Sequence, residues 1–467
     1  MNSVMLAKWA ATILAVGVAI TSVAFFSSPY PPARLLWLKS SAPLGKTPTI
    51  WATIHRNYLN NDAFLDSGAP SGPNYLMQLP TLASSDSPVV NHRLFVNVSG
   101  AGKNPASIHP GVVLAIRPEN GKTLWQQTLF NSLPSEPIVA NGRVYVGEGN
   151  AVFRSHLRFP LPAMSTSTIR GTGPSAIYAM SASTGKILWK YSTVGSDQPS
   201  PTYYGGRLYA VNGSRQLVVL NAVTGRRLWH LNIGIYVSRS SPRIFHHMLY
   251  VGGGGPDAVA AISLKHRRVV WRRSILGAIG AVDDTPLALA GQWLYGEAMV
   301  GSPYLPLLSL RHRQVVFAIN AKTGKIVWKR TLAYGFEPRY KQGSTPMIHG
   351  NQLFVGNAIT GEFFSLNRKT GAVLWKVKLP DPVTRPVVFV RNDLIGVTSH
   401  GLLFSMTAKG GFLRTLRLGS WKNAFGPVLI DRTVFVTGNT PYNGYLAAVP
   451  LPRLLPIAFR KAINRKP

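Results

Sequence analysis

The stretch Ser181–Ser192, SASTGKILWKYS, returns as NAVTGRRLWHLN (221–232), NAKTGKIVWKRT (320–331) and NRKTGAVLWKVK (367–378). Each copy sets a Gly four residues ahead of a Trp. The Trp recurs at Trp125, Trp189, Trp229, Trp271, Trp328 and Trp375, spaced by 64, 40, 42, 57 and 47 residues. Gly121, Gly185, Gly225, Gly324 and Gly371 hold the turn position, Arg267 replaces it in one copy, and a seventh copy keeps Gly411 but has Thr415 where the Trp belongs. A short apolar run precedes each turn, so every copy reads as strand, turn, strand.

A second signature lies upstream of each copy: a small or polar residue, Pro, an apolar strand, a turn and another strand. SPTYYGGRLYAV (200–211) and TPMIHGNQLFV (345–355) are two of its eight occurrences. Together the signatures make four-stranded antiparallel units of 40–50 residues, the size and content of propeller blades. Pro suits the first residue of an inner strand, where no ladder donor is lost. The Gly supplies a turn that a Cβ would resist, and the Trp offers a large aromatic surface to bury against a neighbouring blade. GPVLIDRTVFV (426–436) and GYLAAV (444–449) supply three strands of a last blade, and NYLMQLPTL (74–82) is placed to supply its fourth and close the ring. The expectation is an all-β, eight-bladed propeller over 47–450, with seven blades as the alternative.

The 467 residues are 46% hydrophobic with 44 Gly and 35 Pro, enough for a large core and rich in turns. The absence of Cys excludes disulfides, thiolate metal sites and lipoprotein acylation. Lys and Arg number 50 against 16 Asp and Glu, a formal charge of +34. The basic residues run through every repeat instead of gathering on one face, which argues against nucleic acid as partner. A shortage of carboxylates suits an acidic compartment, because acid unfolds proteins largely by protonating carboxylates that the native state keeps ionised. An anionic envelope surface is the other partner the charge suggests.

At the N-terminus, Lys8 precedes an apolar run from Trp9 to Phe26, and Ser22-Val23-Ala24 meets the small-x-small rule for cleavage. Residues 1–26 therefore read as a signal peptide or an uncleaved membrane anchor, 27–46 as a Pro-rich spacer and 451–467 as a basic tail. Either fate of the first segment places the remainder outside the cytoplasm, in the periplasm or cell envelope.

These repeats resemble the pyrroloquinoline quinone repeat family, whose tryptophan-docking motif is Ala-x-Asp-x-x-Thr-Gly-x-x-x-Trp on eight-bladed propellers. The resemblance spans roughly 47–450. One departure recurs: the family's Asp is Asn221, Asn320 or Asn367 here. The resemblance implies three kinds of function. Quinoprotein dehydrogenases use the quinone with a calcium ion, which the lack of Cys and of a Glu/Asn/Asp calcium set disfavours. A propeller lipoprotein of the outer-membrane assembly machinery is a scaffold without catalysis. Tetrathionate hydrolase, an enzyme of acidophiles, cleaves a sulfur-chain dianion.

In a four-stranded meander the loops entering the inner strands and those joining strands two and three open on the same face. The long insertions at 97–111, 148–175 and 297–314 fall at the second position, so they share a face with the channel mouth, the default binding site. Among the residues entering the inner strands, Asp284 and Glu136 are candidates for general base or nucleophile. Arg239, Lys341, Arg385 and Lys422 are candidates for binding an anion. The six Trp are assigned to structural docking, no metal site is expected, and His246-His247 reads as a turn on the opposite face. From the sequence the first expectation is a non-catalytic binding or assembly scaffold with an envelope protein or small anion as partner. An acid-active hydrolase of a sulfur-chain anion comes second, and a quinone-dependent dehydrogenase third.

Overall fold

The structure, a computed structural model, describes residues 30–41, 44, 47–50, 63–64, 72–99, 109–149, 153–155, 168–170, 173–254, 258–301, 311–336 and 344–455. The chain parts into two units, Met1–Pro32 and Ala33–Pro467, and the second carries the architecture that follows. The signal or anchor segment lies outside the described residues.

Eight antiparallel sheets form a propeller ring. Blade 3 shows the plan: Thr202–Tyr204, Arg207–Val211, Gln216–Asn221 and Arg227–Asn232 pair in chain order from the inner strand outward. The blades span 89–129, 138–194, 202–232, 243–274, 288–336, 347–378, 388–417 and 423–450, and the last gains its outer strand from Asn74–Gln78. Tyr75 pairs with Ala448 and Met77 with Leu446, so the two ends of the chain share one sheet and the ring has no seam at the inner strands. Leu82–Ala83, at the end of the stretch assigned to closure, instead pairs with Arg93–Ser99 of blade 1.

In blade 2 the third strand, Pro174–Ser181, is buried and the fourth, Ile187–Val194, alternates. Adjacent sheets pack face to face through apolar clusters. One joins Tyr295, Val316 and Ala318 of blade 5 to Leu353, Val355 and Leu366 of blade 6.

Each docking Trp sits on the turn of the next blade, not its own. Trp125 donates its indole N–H to Ala182 O at 3.1 Å, Trp271 to Ala321 O at 3.1 Å and Trp328 to Arg368 O at 3.1 Å. The seat is the turn Gly: a Cβ on Gly371 would lie 2.6 Å from Trp328, and one on Gly185 2.6 Å from Trp125. A basic residue two positions past the Trp reinforces the joint, since Arg273 Nε donates to Gly324 O at 2.7 Å and Arg330 Nε to Gly371 O at 3.0 Å. Part of the chain's positive charge thus serves the joints between blades.

The irregular copies resolve in the same terms. Arg267, at φ 51°, occupies the Gly position facing Trp229 and lays its guanidinium 5.8 Å from that ring. In blade 7 the turn is one residue tighter. Gly410, with its N–H on Thr407 O at 2.9 Å, is the seat: a Cβ on it would lie 3.1 Å from Trp375, which corrects the assignment to Gly411. At the closure, Tyr75 takes the place of a Trp: it pairs with Ala448 as Trp328 pairs with Ala318, and it lies 3.3 Å from where a Cβ on Gly121 would be.

Two segments at the margins belong to the fold. Arg34–Ser40, within the span read as a Pro-rich spacer, pairs outside Asn74–Gln78 as a fifth strand of blade 8. Leu451, Leu454 and Leu455, read as the start of the basic tail, are buried in the core shared by blades 7 and 8. Apolar residues there cover sheet surface between blades 7 and 8, where the seventh copy has Thr415 in place of a docking Trp.

Candidate functional site

The loops that enter the inner strands are anchored on the preceding blade, and this anchoring builds the channel mouth. At one position of the second strand, Gly147, Gly252 and Gly356 let the next blade's loop approach so closely that a Cβ would meet the carbonyl oxygens of Asp197, Val282 and Val383 at 2.1, 2.0 and 1.8 Å. In blades 1, 8 and 5 the same position bears a polar side chain that grips the loop, and in blades 3 and 7 it is a buried Val, Val211 and Val397. Asn97 Nδ2 donates to Ser135 O at 2.6 Å, Thr437 Oγ1 donates to Ser85 O at 2.8 Å, and Glu297 Oε2 accepts the N–H of Ser344 at 2.9 Å. The entering loops are therefore rigid, and their side chains have fixed places.

Five charged side chains from five blades face one cleft there: Asp86, Glu136, Arg239, Asp284 and Arg385, with Ser135, Thr285, Thr345 and Thr384 between them. Asp86 and Glu136 are buried, at 3% and 2% exposure. Ser238 Oγ donates to Asp284 Oδ1 at 2.6 Å. The carbonyl of Asp283 accepts the N–H groups of Ser238, Arg239 and Ser240 at 3.2, 2.8 and 2.9 Å, clamping the loops of blades 4 and 5 together. Ser200 Oγ donates to Glu136 O at 2.7 Å and Ser135 Oγ to Gln198 O, which joins blades 2 and 3 in the same way.

Arg385 is the electrostatic centre of the cleft. Burial pushes its guanidinium pKa down, while Asp86 and Glu136 act against that and hold it charged. Its guanidinium carbon lies 4.6 Å from the ring of Phe425, and its Nε is buried with no hydrogen-bond partner. The cleft encloses about 30 Å³, room for two or three waters at roughly 10–15 Å³ each. A larger ligand meets these groups from the mouth.

Both residues singled out for catalysis, Asp284 and Glu136, and two of the four anion candidates, Arg239 and Arg385, thus share one cleft. Lys422 is exposed and does not line it. Lys341 lies outside the described residues. His246 and His247 occupy the turn between Arg243–Phe245 and Met248–Gly253. Among the described residues, no group of three or more His, Asp or Glu is placed to hold a metal ion.

Sequence reasoning passed over Asp86 as a charge of the site and missed three further buried carboxyls. Glu148 receives Asn131 N–H at 3.0 Å and Tyr178 Oη at 3.2 Å, and burial pushes its pKa up. Burial raises Asp197 to about 7 and Glu297 to about 8. The available signal was their rarity: in a chain of 16 carboxylates, an acid at the buried end of a strand stands out.

Comparison with known proteins adds three findings. The family model described as outer membrane protein assembly factor BamB matches residues 111–290 and 312–414. Tetrathionate hydrolase of Acidithiobacillus ferrooxidans is 24% identical over 451 residues, covering 88% of each chain, and tetrathionate hydrolase of Acidianus ambivalens is 26% identical over 373 residues, covering 74% of this chain and 68% of that one. Among solved structures, the quinohemoprotein alcohol dehydrogenase of Comamonas testosteroni superposes with a TM-score of 0.56 at 13% identity, over 87% of this chain and 82% of that one, a likeness of fold.

Proposed function

The chain belongs to the propeller family described as outer membrane protein assembly factor BamB, and from that premise we propose that it is a hydrolase of a small sulfur-chain dianion, active in acid outside the cytoplasm. The observation that carries this reading is the cleft itself, where two guanidiniums and three carboxylates from five blades meet at the channel mouth. A scaffold has no need to gather scarce carboxylates around half-buried Arg385, since each costs desolvation. The alignment with tetrathionate hydrolase over 88% of both chains supports the same choice. These two arguments put the hydrolase ahead of the scaffold that the sequence reading placed first.

In this reading Arg239 and Arg385 hold a sulfonate end of the dianion by paired N–H donors. Asp284 takes a proton from water as the water oxygen bonds to a chain sulfur, and the sulfur–sulfur bond that breaks leaves its electron pair on the sulfur of the departing thiosulfate. The groups at the cleft do not fit a quinone with calcium: two guanidiniums line it, and among the described residues no group of three or more His, Asp or Glu is placed to hold a metal ion. No step is assigned to that cofactor.

Incubating the purified protein with tetrathionate at low pH, and measuring thiosulfate, tests the reading. Turnover that Arg385→Ala and Asp284→Asn abolish without loss of fold supports it; absence of turnover by the native protein defeats it. The scaffold reading draws on the family description and on outer strands that expose Leu188, Val270 and Leu374 at 46%, 43% and 50%. Such edges suit strand addition by a partner, and capture of an envelope protein by an inactive chain would select it.

A further inference from the structure

We infer that the channel-mouth cleft is a proton-gated dianion site: ionised, its carboxylates neutralise its own guanidiniums and repel a dianion, and protonation in acid turns it into a receptor. The inference deepens the hydrolase reading and rests on it for the class of ligand.

The charge balance is the starting point. Asp86, Glu136 and Asp284 face Arg239 and Arg385, a formal charge of −1 when all five are ionised. Asp283 adjoins Asp284 on the same loop. Among the described residues no His lines the cleft, so the groups there that can take up a proton in acid are its carboxylates. Blade 3 contributes an uncharged hydroxyl behind Glu136, and blade 8 the ring of Phe425 over Arg385.

Hydrogen bonds restrain the loops that carry these charges. The carbonyl of Asp283 holds the backbone of Arg239 through its N–H at 2.8 Å, and Ser238 Oγ donates to Asp284 at 2.6 Å. Asp86 and Glu136 are buried and are the counter-charges of Arg385. A dianion can replace them in that role only if they cease to be negative. Uptake of about two protons with each dianion leaves the charge of the cleft unchanged, so the exchange avoids the cost of burying net charge.

The chain's overall charge cannot supply this pH dependence. At +34 the surface attracts anions at any pH below its isoelectric point of about 10.8. Selectivity for acid has to come from groups that titrate in acid and face the ligand.

The test is calorimetric titration of the full-length protein with dithionate, a dianion of a strong acid that does not hydrolyse, at pH 3, 5 and 7. Constant ionic strength and two buffers of different protonation heat give affinity and protons taken up. The expected result is affinity weaker by at least about tenfold at pH 7 than at pH 3, with uptake of about one to two protons. Glu136→Gln is expected to bind about tenfold more tightly than the native protein at pH 7 and to take up one proton fewer. Glu362→Gln, the same change of charge beside Lys376 on the outer side of blade 6, is expected to alter neither.

Affinity independent of pH, binding without proton uptake, no binding at any pH, or an equal effect of Glu362→Gln each overturns the inference. If Glu136→Gln fails to fold, the native protein's proton count decides alone. The two readings fail separately. Dithionate bound with protons but tetrathionate left intact removes the hydrolase and keeps the gate, whereas turnover with pH-independent binding does the reverse.

Discussion

Replacing Gly371 by Ala probes the joint on which the ring depends. Two costs follow from the structure. Gly371 has φ 71°, and an L-residue held in the left-handed region loses about 1–2 kcal/mol. The new methyl would also lie 2.6 Å from Cε3 and 2.8 Å from Cδ2 of Trp328. The indole cannot retreat freely, because its N–H is bonded to Arg368 O at 3.1 Å and its ring packs 6.2 Å from Tyr295. Overpacking of this kind costs about 1–3 kcal/mol, so Gly371→Ala should destabilise by about 2–5 kcal/mol. Gly350 is the internal control: it has φ 56° with nothing within 4 Å of the added methyl, and its replacement should cost only the backbone share, about 1–2 kcal/mol. Trp328→Ala should cost about 3–5 kcal/mol, towards the lower figure because the ring is half-buried. Combined with Gly371→Ala it should cost less than the sum, by about the overpacking share, since removing the indole removes the collision. Urea unfolding followed by far-ultraviolet circular dichroism measures all four variants. A Gly371→Ala penalty no larger than that of Gly350→Ala, or strict additivity with Trp328→Ala, would refute the assignment of this Gly as the seat of its neighbour's Trp.

Three further predictions concern pH and the irregular blade. Burial holds Asp197 at about 7 and Glu297 at about 8, so the native state keeps protons that the unfolded chain releases near pH 4. Their contribution to stability is whole below the unfolded values and falls as pH rises towards the folded ones, by up to about 1.4 kcal/mol per pH unit for each group. Glu297→Gln should flatten its share of that slope, because Glu297 Oε1 and Gln314 Oε1 are both buried without partners and a neutral donor at position 297 satisfies them; melting temperatures that fall with pH as steeply as in the native protein would contradict this. Asn320 Oδ1 accepts the N–H groups of Lys322 and Thr323 at 3.1 and 3.0 Å, so Asn320→Asp should be neutral or slightly stabilising at pH 6 and lose that benefit as pH falls through the depressed folded pKa of the new carboxylate. Equal melting temperatures relative to the native protein at pH 6 and pH 2 would argue against it. Arg267→Gly relieves a left-handed Arg worth about 1–2 kcal/mol and loses a cation–π contact of about 0.5–1 kcal/mol, so unfolding should show a small net gain, and a loss above 1 kcal/mol would mean that the Arg carries the joint.

The Asn substitutions also explain how the chain keeps the family's turn with few carboxylates. An amide oxygen accepts the two turn amides as a carboxylate does, yet has no charge to lose in acid. The turn geometry is preserved at Asn221, Asn320 and Asn367, each accepting two backbone N–H groups.

Read alone, the sequence was enough for the architecture, because the joint between blades is written in short repeated segments. A Gly-containing turn and a Trp four residues on report their local geometry in every copy, and recurrence turns a weak signal into a ring of eight. It did not reveal that each Trp rests on the following blade's Gly, that Tyr75 stands in at the closure, or that Gly410 replaces Gly411, since these depend on which surfaces adjoin after the ring closes. The site shows the same division. Glu136, Asp284, Arg239 and Arg385 were legible as rare or basic residues entering inner strands, but their meeting with Asp86 in one cleft was decided only by the tertiary structure. Closing the propeller brings loops from distant parts of the chain to a common mouth, and no local pattern encodes the distance between two residues that share nothing except the axis of the ring.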